Sequence, residues 1–122
     1  MNAEALHAYL ADRKVVRVVT TKRSGEEVST PIWSVVVEDV PYIRSEYGHD
    51  GWWYRRALAR GRVGFEVGDG IERVTAMPVT DEAELSRVDD AYRAKYAGSR
   101  SSLEMMLRPL ARECTLRIAP HA

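Results

Sequence analysis

The sequence predicts an α+β fold, a six-stranded, mostly antiparallel β-barrel with helices at its periphery. Three observations carry the expectation. The order of elements is one helix, five strands with a short helix among them, two helices and a final strand. The strands are joined mainly by tight turns, which makes neighbours antiparallel. A six-stranded sheet with one apolar face also lowers its free energy by curling and closing on itself.

Each element has its own signal. Residues 2–12 predict a helix, with Leu6, Tyr9 and Leu10 on one face and Asn2 as its cap. The β-branched run 14–22 predicts a strand, ended by a Ser24-Gly25 turn. Residues 28–38 predict the next strand. Pro31 marks an edge or a bulge in it, because proline has no N–H to give a ladder. Asp39-Val40-Pro41 reads as a turn before a third strand at 42–46. The loop 47–51 holds two glycines. A short helix at 52–61 follows, with Asp50 as cap and Gly61 as stop. Residues 62–67 and 71–79 flank a Gly68-Asp69-Gly70 turn and form a hairpin by pattern. Asp81 and Glu84 have capping-box spacing at the head of a longer helix running to Tyr96, which Gly98 ends. Ser101 and Glu104 repeat that spacing before a helical stretch that Pro109 disturbs, and residues 113–120 form the last strand.

Bulk properties narrow the function classes. The 122 residues suit one domain spanning 1–122, with 45% apolar and 30% charged residues, an ordinary globular balance. A chain this short removes only about two-thirds of its unfolded surface from water, so a homodimer would help it. Eighteen basic residues balance eighteen acidic ones, which disfavours a nucleic-acid partner. The lone Cys114 can form neither an internal disulfide nor a zinc site by itself, and no metal is expected. A reduced, cytoplasmic location fits this. The first residues lack a basic region followed by an apolar run, so no signal peptide is expected. No apolar stretch approaches the roughly 20 residues of a membrane span.

Three stretches carry a family likeness. A Pro-x-Trp strand and a Tyr-x-Arg-Ser strand lie in VSTPIWSVVVEDVPYIRSEYG, and WWYRRALARGRVGFEV follows. Together they resemble the split-barrel deazaflavin-dependent nitroreductase-like proteins and their flavin mononucleotide relatives, including pyridoxamine phosphate oxidases. AYRAKYAGS (91–99) and the closing TLRIAP resemble a narrower group, domain of unknown function 2255. The likeness runs from about Val15 to Pro120. It implies a six-stranded split barrel, usually a homodimer, with a deazaflavin coenzyme of the F420 type or FMN in a groove at the dimer interface. Basic and hydroxyl side chains of the strands and the following helix would hold the phosphate.

Candidate site residues follow. Arg44-Ser45 ends a strand just before a glycine loop and a helix N-terminus, where free N–H groups and the dipole favour anions. Arg55 and Arg56 lie in the first turn of that helix, with Arg60 and Arg62 beyond. Guanidinium suits phosphate, although these arginines equally suit a solvated helix face. In the resembling enzymes the strand carrying Ser29, Thr30 and Trp33 runs under the ring system; a core tryptophan is the alternative. Lys22 and Arg23 read as surface charges. Trp52, Trp53 and Tyr54 cannot all face one side of a helix, so at least one meets a ligand or a partner; Trp53 and Tyr54 are the substrate-binding candidates. Tyr92 and Tyr96 share a helix face and read as packing. Met105 and Met106 read as core filler, and Cys114 as structural. Among His7, His49 and His121, only His49 sits in a functional-looking loop. Tyr47 and His49 are therefore the candidates for proton delivery.

The leading expectation is an oxidoreductase that moves a hydride to or from a small organic substrate, with the deazaflavin slightly favoured over FMN. The alternatives are a non-redox protein binding another small molecule in the same groove (a carrier, a sensor or a cofactor-free enzyme) and a structural dimerisation module.

Overall fold

The computed structural model describes residues 1–120; His121 lies outside the described residues. The first helix, α1 (Ala3–Asp12), begins where Asn2 Oδ1 accepts the Ala5 N–H at 2.8 Å. It buries Leu6 and Leu10. Seven strands follow: β1 (Val16–Thr21), β2 (Glu27–Ile32), β3 (Ser34–Val37), β4 (Val40–Arg44), β5 (Arg62–Val67), β6 (Gly70–Pro78) and β7 (Thr115–Pro120). Between β4 and β5 lie a 3-10 turn (Gly48–Asp50) and α2 (Trp52–Arg60). Between β6 and β7 lie α3 (Glu82–Lys95), α4 (Arg100–Leu107) and α5 (Pro109–Arg112).

The sheet is antiparallel throughout, as expected, in the order β2-β1-β5-β6-β7-β4-β3. It has seven strands, not six, because the run 28–38 breaks at Trp33 into β2 and β3. The two pieces lie at opposite edges of the sheet. In a flat sheet of seven strands those edges would stand about 28 Å apart. The two residue steps from Ile32 to Ser34 span at most about 7 Å. The sheet must therefore curl until its edges meet, and since β2 and β3 do not pair, the barrel stays split along that seam. Pro31 is exposed on the outermost strand, where its missing N–H costs no ladder bond.

Other boundaries also moved. The turn before β4 is Glu38-Asp39, with φ of 49° and 65°. Two consecutive left-handed residues match the twist of a tight hairpin. Pro41 consequently lies inside β4 opposite Val36, just short of Tyr42, where pairing with β7 begins. Asp50 belongs to the 3-10 turn, and Gly51 caps α2 without a side-chain bond. Ser101 is already helical, because α3 stops near Gly98 and α4 restarts behind Ser99. Besides Asn2, two more expected caps hold. Asp81 accepts the Glu84 N–H at 2.9 Å, and Gly61 ends α2 at φ 66°.

Two apolar clusters hold the layers. One fills the curl with Val18, Ile43, Phe65 and Leu116 from the strands, Leu10 from α1 and Trp53, Tyr54 and Ala57 from α2. The other packs Leu85, Val88, Tyr92 and Tyr96 of α3 and Met106 of α4 against Val35 and Tyr42. Ile43 and its neighbour Tyr42 enter different clusters because successive strand residues face opposite sides. The β3–β4 ribbon is thus covered on both faces. Among the described residues no helix is long and apolar enough to cross a membrane.

Candidate functional site

A cavity of about 630 Å³ opens where the unpaired edge of β2 faces the end of β4, the loop after it, α2 and α4. Val28, Thr30 and Ile32 reach it from β2, and Trp33 from the break in the strand. Arg44, Glu46, Tyr47, Asp50 and Gly51 come from the end of β4 and the loop. Trp52, Trp53 and Arg56 come from α2, Ser102 and Met106 from α4, and Val15 stands before β1.

The loop is shaped by Ser45, which is buried and donates its hydroxyl to Gly48 O at 2.8 Å. A side chain at position 51 would run into that hydroxyl, so any other residue there would force Ser45 out of this rotamer and off Gly48 O. The first turn of α2, with no side-chain cap, borders the cavity through Gly51, Trp52 and Trp53. Uncapped N–H groups at a helix start are donors for a ligand acceptor.

Trp33 is half-buried and lies flat on Tyr96, with ring centroids 3.8 Å apart and planes 2° from parallel. One face of the indole is thus occupied, leaving its other face or its edge for the cavity. Trp53 is buried in the wall, while Trp52 is 67% exposed at the rim. Arg55 and Arg56 place their guanidinium groups over the Trp52 ring at 5.2 and 5.8 Å.

Arg44 is fully buried, its side chain 0% exposed. Nε donates to Thr115 Oγ1 at 2.8 Å, and Nη1 donates to Asp89 Oδ1 at 2.7 Å and Met106 O at 2.9 Å. The other Asp89 oxygen takes Arg112 Nε at 2.8 Å, and Arg112 continues to Glu82 at 2.7 Å. Arg44 Nη2 is a buried donor with no partner.

Of the residues expected in the site, Thr30, Trp33, Arg44, Tyr47, Trp53 and Arg56 are brought together around the cavity. Ser29, Ser45, His49, Tyr54 and Arg55 are not part of its lining. Ser29 accepts from Arg17 Nε at 2.8 Å. His49 is exposed, 4.0 Å from Glu113 and edge-on to Tyr54. Tyr54 is buried beside Cys114; burial, with the thiol's contribution, pushes its phenol up to about 12. Burial likewise raises the Cys114 thiol, which keeps it protonated and inert, in line with a structural role.

Sequence reasoning left open which of Trp52, Trp53 and Tyr54 meets a ligand or a partner, took Asp50 for a helix cap and did not single out Glu46. The i, i+4 spacing of Trp52 and Arg56 was the available signal, since those two share a helix face. Met106, expected in the core, is both core and cavity wall. Among the described residues no group of three metal-ligating side chains is assembled.

The sequence profile described as uncharacterized protein conserved in bacteria (DUF2255) matches residues 8–118. None of the curated proteins compared matches the chain. Several solved structures share its fold. An F420-H2 dependent reductase has a TM-score of 0.64 at 19% identity, over 88% of this chain and 95% of that one. An FAD binding protein from Mycobacterium smegmatis has 0.62 at 22%, over 100% and 91%. HutZ, a heme storage protein from Vibrio cholerae, has 0.67 at 14%, over 100% and 92%.

Proposed function

Because this chain belongs to the DUF2255 family of proteins conserved in bacteria and shares the fold of flavin-binding split barrels, we propose that its cavity takes a flavin-type cofactor and serves an oxidoreductase. The observation that carries the reading is the cavity wall itself. Trp33, Trp52 and Trp53 surround a space large enough for a ring system, and a buried Arg44 donor beside them has no partner. The named neighbours, an F420-H2 dependent reductase and an FAD binding protein, support a deazaflavin or a flavin as the class of cofactor.

In this reading Trp33 and Trp53 hold the ring, and Thr30 and the free edge of β2 face its polar rim. Arg56 and the first turn of α2 meet the phosphate, with Arg55 on the outer side. When bound, such a cofactor supplies hydride transfer. The chain supplies position, exclusion of water and a proton donor. Tyr47, exposed at the mouth, is the donor that the geometry favours over His49, which lies outside the cavity lining. Trp52 and Trp53 would also bound the space left for a small organic substrate.

The test is the absorption spectrum of purified protein before and after addition of FMN, FAD and the F420 coenzyme. A perturbed flavin band with saturable quenching of its fluorescence is expected for at least one. Unperturbed spectra with all three would overturn the reading. A non-redox carrier is the second reading. Its support is the placement of His49, the acid–base candidate, against Glu113 and away from the cavity. A protein that binds the cofactor but never changes its redox state with any donor or acceptor would favour it.

A further inference from the structure

Asp89, Tyr92 and Tyr96 lie outside the cavity lining, yet they back two of its walls. Their spacing of i, i+3 and i+7 puts them on one stripe of α3 and its C-terminal cap. Tyr96 lies flat beneath Trp33 at 3.8 Å. Its hydroxyl donates to Lys14 O at 2.6 Å and accepts the Ser34 N–H at 3.2 Å. Lys95 Nζ donates to Ser34 O at 2.7 Å and to Leu10 O at 2.9 Å. Both backbone groups of the residue after Trp33 are thereby fixed from α3. Tyr92 stacks on Tyr96 at 5.9 Å and lies under the Arg44 guanidinium at 5.1 Å. Asp89 then holds Arg44 Nη1 at 2.7 Å.

These contacts form one unbroken run: Trp33, Tyr96, Tyr92, Arg44, Asp89. We propose that the stripe is a positioning device that presets the inner cavity before a ligand enters, and that the preset space takes a flat, uncharged ring. Tyr96 fixes the plane of Trp33 and so the slot for the ring. Asp89 fixes Arg44 and balances its charge, so this wall offers no counter-ion for phosphate. The inference rests on the flavin-type reading above and names the part of the ligand that the inner cavity receives.

The experiment pairs Tyr96→Phe with Tyr96→Leu, using riboflavin, a flat ring without phosphate, as the probe. Tyr96→Phe keeps the stacked ring and loses the hydroxyl bonds, so it should lose stability yet bind riboflavin within about threefold of the natural protein. Tyr96→Leu, folded by circular dichroism at the assay temperature, should bind it about tenfold more weakly, the worth of one aromatic stack. Tyr96→Met replaces it if it does not fold. Equal losses of affinity in the Phe and Leu variants would mean that affinity only follows stability, and would overturn the proposal. If the natural protein binds neither riboflavin, FMN nor the F420 coenzyme, the flavin reading fails. Near-ultraviolet circular dichroism then decides on the device without any ligand. A tryptophan band kept in Tyr96→Phe and lost in Tyr96→Leu supports it, and a band unchanged in both overturns it.

Discussion

Arg44 makes three hydrogen bonds from a buried site, and its charge is balanced by a carboxylate that a second arginine shares. Removing it would leave Asp89 buried with Arg112 alone. Breaking such a pair is costly because the remaining charge loses its compensation. Arg44→Ala should therefore unfold about 3 kcal/mol more easily, at the lower end for a buried pair because Arg112 stays. Urea denaturation would read this directly. Lys95 offers a second test. Burial lowers its ammonium to about 8 from 10.5, with Asp12 acting the other way. Between those values the unfolded chain holds more protons, so this group makes stability rise with pH over that window. Tyr96, pushed up to about 12 by burial, removes stability only above its ordinary value of 10.0. Melting temperatures from pH 8 to 10 should consequently rise less in Lys95→Met than in the natural protein. At this scale the sequence was half legible. Arg44 stood out through its place at a strand end before a glycine loop. Nothing local could reveal that Asp89, 45 positions later, would take its charge. Nor does the pattern of α3 disclose that Tyr96 faces Trp33, because that contact depends on how the curled sheet meets the helix.

At the scale of elements, local chemistry wrote the ends of helices more clearly than those of strands. Asn2, Asp81 and Gly61 act as read, since each makes its bond within its own turn. Asp81→Ala should cost about 1 kcal/mol, the usual worth of an N-cap, in thermal or urea unfolding. A much smaller loss would mean that packing alone sets the start of α3. The strand run 28–38 shows the opposite case. Its residues are β-formers throughout, yet it divides at Trp33, because the division is imposed by sheet closure and not by propensity. The aromatic run on α2 was read correctly as unable to face one way. Choosing its exposed member required the position of β1 and β5, which set the buried side of that helix. Trp52, not Trp53 or Tyr54, came out on the rim.

For the whole molecule, the rim of the cavity is the notable surface. Trp52, Tyr47 and Val15 are 67%, 59% and 53% exposed around one opening. Exposed aromatic groups gathered at one place suit association with another copy, which would also close the mouth. A homodimer is the proposed state. Light scattering at micromolar concentration should give about twice the 13.8 kDa chain mass, and Trp52→Glu should shift it toward the monomer. A monomeric natural protein would refute the assignment of this surface.

β7 has a consequence of another kind. Among the described residues it is the last strand, yet it lies between β6 and β4 and is the only hydrogen-bonded link by which the β3–β4 hairpin joins the other four strands. A nascent chain emerging from the ribosome can form the two pieces of the sheet separately, but cannot unite them until residues 115–120 are free. Closure of the barrel accordingly waits for β7. Loss of those six residues would not trim an edge; it would cut the sheet in two, leaving fragments that expose the strand edges β7 had covered to proteases and to one another.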